Sequence, residues 1–561
     1  MKKKTTPLPF IFHWDVYILL IVITLAVFAQ IRSFEFVSYD DLYYVYTNDH
    51  VKSGLQLDNI IWAFKTNYMG HWHPLTWLSY FVDTQIYGID GGGFHTTNLT
   101  LHLINTLLLF FFFQQATGTK WRSAAVAILF AIHPLHVEPV AWVSSRKDLL
   151  STFWGLVALN LYIQYVKDFT CLKYGLITGA FILSLMAKSM LVTLPAIFIL
   201  MDYWPLNRFE TLVKPVLGFW QQVLFHAKEK GALFLISALC IYIEAKSQVP
   251  TIIVMPQNIR DQIHAYSMPY PWHLILYVPY NYLLYLKKTF WPTELLLSRP
   301  IEYISLNMFI MATLGLILIS IALLWIGRRH RYVLIGWCWF MGALVPISHL
   351  SQLSDRYTYV PLIGIFIIVA WGSYDLFTKY LNLTLLKVAA VSLLIILCLM
   401  SWVQTDLWRD SETLYKHILA VAPNNPQIRI NYGTLLLVSR RFEQAVEQFQ
   451  LVVQDSPNYA GGYFNLGTSL VNLNRFDEAK KSYDQALKLN PTFTEVYSGM
   501  GYLFGRQGKY AEAIPYFQKA LELKPDYEDA RVGLKEAQKL LAQQNKPENL
   551  PSSKEQALPK Q

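Results

Sequence analysis

Long apolar runs recur between about residues 14 and 404, and they constrain the fold of this chain more than any other feature. A helix needs about 20 apolar residues to cross about 30 Å of hydrocarbon. Runs of that kind predict an all-α, polytopic bundle of transmembrane helices. The predicted spans lie at about 16–32, 96–116, 123–141, 148–166, 173–187, 190–204, 231–246, 307–326, 332–348, 358–376 and 385–403.

The composition agrees with a membrane protein. The chain is 54% hydrophobic and 15% charged, whereas soluble domains are about a quarter charged. An ordinary cytosolic enzyme is therefore disfavoured. The net charge of +9 arises from Lys and Arg residues at the ends of apolar runs, which indicates membrane orientation rather than nucleic-acid binding. The four cysteines are scattered, so neither a disulfide framework nor a zinc site is predicted.

A repeat of 34 residues replaces the apolar runs in the C-terminal part of the chain. This period is typical of tetratricopeptide repeats (TPRs), in which each repeat is a pair of antiparallel helices. Small residues lie where two helices approach closely, aromatic residues fill the gaps, and proline ends the second helix. Three repeats with a capping helix near 526–543 predict a short α-solenoid. The repeating columns are Pro423/Pro457/Pro491/Pro525, Gly433/Gly467/Gly501, Ala445/Ala479/Ala513, Phe442/Phe476/Tyr510 and Phe449/Tyr483/Phe517.

These patterns divide the chain into four parts. We predict a membrane domain at 1–404 with an outer loop at 33–95, a linker at 405–422, the TPR region at 423–543 and a disordered tail at 544–561. The positive-inside rule places the basic run Met1–Lys4 in the cytoplasm. It also places the cluster Arg328–Arg331 there if the Tyr-rich stretch 273–291 does not cross the membrane. Eleven crossings then put the TPR region on the outer face.

Two adjacent carboxylates, Asp40 and Asp41, follow the first span and are the predicted catalytic groups. One carboxylate can act as general base on an acceptor hydroxyl while the other orients it. The alternative is a helix N-cap in a solvated loop. The same loop carries His71 and His73, whose spacing suits a metal, but no Cys or neighbouring carboxylate completes a site. An interfacial turn in which His73 contacts substrate is the favoured interpretation.

Further polar groups are predicted at the outer ends of later spans. His136, Glu138 and Arg146 lie in one turn, where they can form a hydrogen-bonded network or, less well spaced, a metal cluster. Lys188 ends the fifth span, and it can either extend to the headgroup region or bind a lipid-linked phosphate. Arg356 can clamp a phosphate or pair with a nearby carboxylate. The predicted topology brings six of these groups to one face: Asp40, Asp41, His136, Arg146, Lys188 and Arg356.

The sequence contains no phosphate-binding P-loop, no dinucleotide fingerprint and no nucleophile elbow. An enzyme without a nucleotide site on its outer face needs an activated substrate from the membrane, and a polyprenyl-phosphate-linked sugar is such a substrate. No cofactor is predicted, and a divalent metal has no support from the sequence. A non-catalytic scaffold whose TPR region recruits envelope proteins, or a lipid-linked sugar transporter, remains the alternative.

Several of these motifs together resemble the transmembrane-and-TPR O-mannosyltransferase (TMTC) family and its bacterial relatives, within the GT-C class of membrane glycosyltransferases. The resemblance rests on the acidic pair Asp40–Asp41, the runs 133–138 and 145–150, the loop 355–361 and the repeats. It implies a lipid-phosphate-linked donor, an inverting transfer on the outer or luminal face, and a TPR region that binds the acceptor. By matching positions, Asp40 or Asp41 is the base, and Lys188 and Arg356 lie near the donor phosphate.

The short TPR array favours a bacterial host, and hence an inner-membrane protein whose active face and repeats are periplasmic. In a eukaryotic host the same face would be the lumen of the endoplasmic reticulum. The chain departs from the family at Lys188-Ser189, where relatives often carry Lys-Glu.

Overall fold

The computed structural model describes residues 13–211, 218–254, 274–297, 304–348, 353–380 and 382–545, and within these ranges the regular structure is entirely helical. The described chain forms two compact units, which divide between Asn425 and Pro426. The basic run at the N-terminus and most of the predicted disordered tail lie outside the described residues.

The first unit contains the apolar helices and the outer loop. Short 3₁₀ or π turns join several of the helices. The α-helices are α1 Trp14–Phe28, α2 Asp49–Lys52, α3 Leu57–Lys65, α4 Pro74–Tyr87, α5 Gly91–Thr117, α6 Lys120–Ile132, α7 Val137–Ala141, α8 Arg146–Lys167, α9 Cys171–Ala187, α10 Leu194–Tyr203, α11 Arg208–Thr211, α12 Phe219–Glu229, α13 Gly231–Val254, α14 Leu274–Phe290, α15 Leu306–Gly327, α16 Arg331–Leu344, α17 Leu362–Tyr380, α18 Leu383–Asp406 and α19 Ser411–Val421.

Helices long and apolar enough to cross a membrane occupy six of the predicted spans. Among the described residues there are six such helical segments, and a seventh if α6 and the turn through α7 form one span bent by 57°. Three shorter apolar helical segments lie at three further predicted spans, at Cys171–Ala187, Ser189–Tyr203 and Arg331–Ile347. The predicted span 231–246 lies within α13. Each predicted span contains a helix, which confirms the all-α membrane architecture. The number of eleven crossings stays a prediction.

Basic residues collect at one end of this bundle. The Lys120 Nζ lies 2.5 Å from an Asp15 carboxylate oxygen, and Arg122 lies 4.0 Å from Asp375. His330 also lies near Asp375, at 3.6 Å, and its neighbour Arg331 donates to the Asn207 side chain at 3.2 Å. The described part of the predicted cytoplasmic cluster, His330 and Arg331, thus lies near the basic start of α6, as expected for residues at a single membrane surface.

Helix α13 connects this basic end with the outer loop. At its start, the Lys230 Nζ lies 2.5 Å from Asp202 at the end of α10. Farther along, Glu244 accepts from the His71 ring at 2.5 Å, and the Ser247 hydroxyl donates to the Asn67 side chain at 3.3 Å. The helix therefore runs from one end of the bundle to the other.

The predicted outer loop is folded. Its helices α2, α3 and α4 enclose a small core in which aromatic rings dominate, so the loop presents its polar residues from a rigid support rather than from a mobile segment. The core residues are Tyr44, Val45, Val51, Ala63, Trp77, Tyr80, Phe81, Phe94 and Val143.

The predicted linker at 405–422 is largely helical, because it contains α19. This helix buries Leu414, Tyr415 and Ile418 within the first unit. The Tyr415 hydroxyl donates to the Ser38 carbonyl at 2.5 Å, and the Ser38 amide donates to the Ser411 hydroxyl at 2.8 Å. The segment after the last apolar helix therefore supports the backbone just before the acidic pair.

The second unit confirms the TPR prediction. Each repeat glycine lies against the aromatic ring one helix later, and a Cβ at Gly467 would come within 2.6 Å of the Tyr483 ring. The 34-residue pattern thus encodes close packing between paired helices. The helices are α20 Pro426–Val438, α21 Phe442–Asp455, α22 Ala460–Asn472, α23 Phe476–Leu489, α24 Thr494–Arg506, α25 Tyr510–Leu523 and the capping helix α26 Glu528–Gln544.

Two glycines allow α16 and α17 to touch backbone to backbone. A Cβ at Gly364 would lie 2.2 Å from the Gly336 carbonyl oxygen, so Gly364→Ala forces the helices apart. We expect this change to cost about 1–3 kcal/mol of stability and to lower the thermal unfolding midpoint in detergent. Gly342→Ala, on α16, is the matched control because nothing lies within 4 Å of its added Cβ. Equal midpoints for the two variants would contradict this packing.

Candidate active site

The two adjacent carboxylates of the outer loop have different surroundings. Asp41 is 0% exposed and accepts hydrogen bonds from the Val37 amide at 3.1 Å, the Ser144 amide at 2.9 Å and the Ser144 hydroxyl. Burial raises the pKa of the Asp41 carboxyl to about 7, although the bonds from Ser144 and Val37 act in the opposite direction. Asp41 therefore ties the loop to the turn that begins α8.

Asp40 is half-buried, and its carboxylate makes no hydrogen bond or ion pair with any residue that the structure describes. It is nevertheless close enough to Lys147 and Arg356 to interact with both electrostatically. Its neighbour Tyr39 stacks edge-on against Trp142, with ring centroids 5.9 Å apart. A carboxylate that has no bonding partner in the described chain and lies near cations is suited to act as a general base.

Two lysines join Arg356 in a cluster of cations, and one of them, Lys147, interacts electrostatically with Asp40. The Lys147 Nζ donates to the Tyr44 hydroxyl at 3.0 Å and lies 4.4 Å from the centroid of the same ring. The Lys188 Nζ lies 2.5 Å from an Asp148 oxygen and 5.2 Å from the Tyr357 ring centroid. The two ammonium groups interact with one another and with Arg356 electrostatically, so the three cations form one cluster.

Contacts with Trp142 and Glu138 position the Arg356 side chain and leave two of its N–H donor atoms without a hydrogen bond to a described residue. Its guanidinium lies 4.4 Å from the Trp142 ring centroid, and its Nη1 lies 3.7 Å from a Glu138 oxygen. The Nε and Nη1 atoms are buried and have no hydrogen-bond partner in the described part of the chain. Glu138 also accepts from the Arg356 amide at 3.2 Å and from the Ser354 hydroxyl. A stacked guanidinium with free donors is suited to an oxyanion.

Not every predicted site residue joins this cluster. Arg146 is fully buried, and its guanidinium donates to Asp83 at 2.7 Å, to the Phe94 carbonyl at 2.8 Å and to the Asn98 side chain. Arg146 therefore links the start of α8 to the outer loop and to α5.

His136 packs among aromatic rings, away from the cations. Its Nδ1 lies 2.7 Å from the Phe130 carbonyl oxygen, and its ring lies 4.9 Å from the Tyr359 ring.

His73 is buried in an aromatic stack. Its ring lies 5.0 Å from Trp77 and 5.7 Å from Tyr44, and neither ring nitrogen has a hydrogen-bond partner among the described residues. Burial lowers the pKa of the His73 imidazole well below its usual range, and the charge of Lys147 adds to this effect. The ring is therefore neutral and lies close to the cation cluster.

The described residues contain one group with metal-ligand geometry, and it lies at the basic end of the bundle. The group consists of Asp202, His226 and Glu229. However, Arg208 and Lys230 already neutralise the two carboxylates, at distances of 2.5–3.0 Å. A divalent cation would add charge where charge is balanced, so these residues fit an ion-pair network better than a metal site.

Comparison with known proteins agrees with this architecture. A family model described as tetratricopeptide repeat matches residues 464–528. The human protein O-mannosyl-transferase TMTC1 is 26% identical over 490 residues, which cover 76% of this chain and 53% of that protein. The mouse protein O-mannosyl-transferase TMTC4 is 24% identical over 474 residues, covering 73% and 62%. The chain is therefore similar to TMTC proteins over 70–76% of its length.

The chain spans about half the length of most of these curated relatives. With its apolar helices, the homology establishes an integral membrane protein with a C-terminal TPR region. Among solved structures, the first TPR of Spaghetti (RPAP3) bound to an HSP90 peptide is 21% identical. It covers 21% of this chain and 93% of its own, with a TM-score of 0.20.

The amino-acid sequence did not reveal the partners that shape this site. Lys147 and Asp148 were visible only as part of a charged run, and Tyr44, Trp142 and Tyr357 carried no distinguishing signal. Their importance depends on which way each side chain points, and the spacing of residues at a helix start does not reveal this.

The two aspartates should differ in their effect on stability. Asp41→Asn replaces an acceptor of three hydrogen bonds by an amide that presents N–H to other donors, and we expect it to cost about 1–3 kcal/mol. Asp40→Asn should change stability by less than about 0.5 kcal/mol, because no described residue bonds to its carboxylate. Denaturation of both purified variants in one detergent measures the difference. Equal loss of stability in the two would refute this assignment.

Proposed function

We propose that this chain is a membrane glycosyltransferase that moves a sugar from a polyprenyl-phosphate-linked donor to a hydroxyl of an acceptor protein or glycan. The observation that supports this proposal best is the Asp40 carboxylate, which has no bonding partner among the described residues and lies beside the cluster of Lys147, Lys188 and Arg356. A free base next to an anion-binding group is what the transfer of a phosphate-linked sugar needs.

In the proposed reaction, Asp40 accepts the proton of the acceptor hydroxyl. The hydroxyl oxygen attacks the anomeric carbon from the face opposite the lipid phosphate, a C–O bond forms, and the bond from that carbon to the phosphate oxygen breaks. A single displacement inverts the anomeric configuration and requires no covalent sugar–enzyme intermediate. This mechanism is of the inverting GT-C type.

The leaving lipid phosphate gains negative charge as the bond breaks, and the cations are suited to stabilise it. Arg356 offers two donors that no described residue uses, while Lys188 and Lys147 add charge beside it. Removing one such donor in comparable sites costs about 2.7–4 kcal/mol of transition-state stabilisation. Glu138 and Asp148 hold Arg356 and Lys188 in position without neutralising Lys147.

We assign Asp41 a positioning role, since its carboxylate is buried and accepts hydrogen bonds from Val37 and from Ser144, which lies just before α8. His73 is neutral and buried near Lys147, and we propose that it contacts substrate. Arg146 and His136 support the site through the contacts described above. The site uses no metal in this proposal.

The names of the relatives lead us to propose mannose as the sugar and a protein as the acceptor. The TPR region would bind an extended segment of that acceptor, because helix-repeat solenoids offer long concave surfaces. We place the active face and the repeats on the periplasmic side of a bacterial inner membrane, or in the lumen of the endoplasmic reticulum if the host is eukaryotic.

Replacement of the base should abolish transfer while the protein stays folded. We expect Asp40→Asn to lower kcat by at least about 100-fold, the lower range for loss of general-base catalysis, with lipid-linked mannose and an acceptor peptide as substrates. Asp49→Asn is the matched control, because Asp49 is an exposed carboxylate at the start of α2 and its one ion pair among the described residues is with Lys52. Full activity of Asp40→Asn would exclude this role. Absence of transfer by the unmodified protein would instead favour a scaffold or a transporter.

Arg356 should act on the donor rather than on the acceptor. We expect Arg356→Gln to raise the donor KM by about tenfold or more, because a charge-assisted hydrogen bond contributes about 1.5–3 kcal/mol, and to leave the acceptor KM unchanged. Arg409→Gln, which removes an exposed arginine paired with Asp406 and Asp410, is the control. An unchanged donor KM would remove Arg356 from the phosphate site.

A further inference from the structure

A buried ion pair lies directly beside the proposed phosphate-binding arginine. Lys288, near the end of α14, contacts Asp355 through its Nζ, and both residues are 4% exposed. Asp355 immediately precedes Arg356 in the chain. The Asp355 charge also interacts electrostatically with Glu138, whose carboxylate lies 3.7 Å from the Arg356 Nη1. Glu138 forms the ion pair with the guanidinium, whereas Asp355 is its neighbour along the chain and is bound to Lys288 instead.

Helix α14 and the residues after it hold the Arg356 loop on one side. The Tyr285 hydroxyl donates to the Ser354 carbonyl at 3.0 Å, and the Leu296 amide donates to the second Asp355 oxygen at 3.2 Å. Glu138 holds the loop from the other side through its two hydrogen bonds to the loop. Because the backbone is fixed from both directions, the direction of the Arg356 side chain depends on the charges around it.

If the buried Asp355 carboxylate lost Lys288, pairing with another nearby cation would lower its energy. Removal of one member of a buried ion pair leaves an uncompensated charge, and a charge in a low-dielectric environment interacts strongly with its neighbours. Arg356 is the neighbouring cation along the chain. Pairing of Asp355 with Arg356 would use guanidinium donors that are free in the present structure.

We propose that Lys288 is a positioning residue for the lipid-phosphate donor, because it neutralises Asp355 and so keeps the Arg356 guanidinium available for the phosphate. This inference rests on the proposed function and deepens it. It assigns α14, whose relation to the membrane stays open, a part in donor binding. The preceding lysine, Lys287, is exposed and makes no ion pair among the described residues, so it does not share this role.

The test is a set of variants assayed for donor KM and acceptor KM on folded, purified full-length protein. Lys288→Met should raise the donor KM by about tenfold, the loss expected when one charge-assisted hydrogen bond to the phosphate is diverted. Like Arg356→Gln, it should leave the acceptor KM unchanged. The double variant Lys288→Met/Asp355→Asn removes both charges and should restore the donor KM to near the wild-type value. Lys287→Met removes the same charge one residue away and should leave both constants unchanged.

Three results would overturn the proposal. The first is an unchanged donor KM in Lys288→Met. The second is a double variant that folds but binds donor as weakly as Arg356→Gln. The third is failure of both Lys288→Met and the double variant to give folded protein, since the pair would then serve folding as a whole. The proposed function fails separately, if Arg356→Gln itself leaves the donor KM unchanged.

Discussion

The site depends on the pairing of charges in surroundings that solvate them poorly. An isolated buried charge costs several kcal/mol even after relaxation, and a partner of opposite sign offsets that cost. Arg146 pairs with Asp83, Lys188 with Asp148, Lys288 with Asp355 and Arg356 with Glu138. Asp40 and Lys147 stand apart, because neither forms an ion pair with a described residue. These ion pairs thus position the side chains around the site, and they leave the Asp40 carboxylate and the Lys147 ammonium group available for the proposed reaction.

The start of α8 shows how much the sequence could predict. A charged run at the beginning of an apolar helix indicated a polar site at a membrane surface, and the structure places charged groups there. Successive residues on a helix point about 100° apart, so Arg146, Lys147 and Asp148 face three different partners: Asp83, Tyr44 and Lys188. Spacing along the chain cannot tell which of the three faces the substrate, since the partners come from distant segments.

The same limit applies to the acidic pair and to Lys288. Asp40 and Asp41 are equivalent in the sequence, and only the fold shows that the Ser144 amide donates a hydrogen bond to the Asp41 carboxylate. Lys288 lies 67 residues before Asp355, with no pattern to connect them. Local repeats are different, because their contacts recur at a fixed period. The TPR packing of Gly467 on Tyr483 follows from the 34-residue columns, since each repeat packs on its neighbour in the same way.

A second cluster at the far end of α8 uses the same kinds of side chain to a different effect. Tyr162, near the C-terminal end of α8, donates to Asp202 at 2.6 Å, and Asp202 and Glu229 are bound by Arg208 and Lys230. Two carboxylates and two permanent cations balance there, and the network joins α8, α10, α12 and the start of α13. The outer cluster contains a comparable number of charges, but its pairs leave the Asp40 carboxylate and two Arg356 donors without a bonding partner in the described chain. At the basic end, the balanced ion pairs hold helices together. At the outer end, the groups without a partner are suited to bind an acceptor hydroxyl and a donor phosphate.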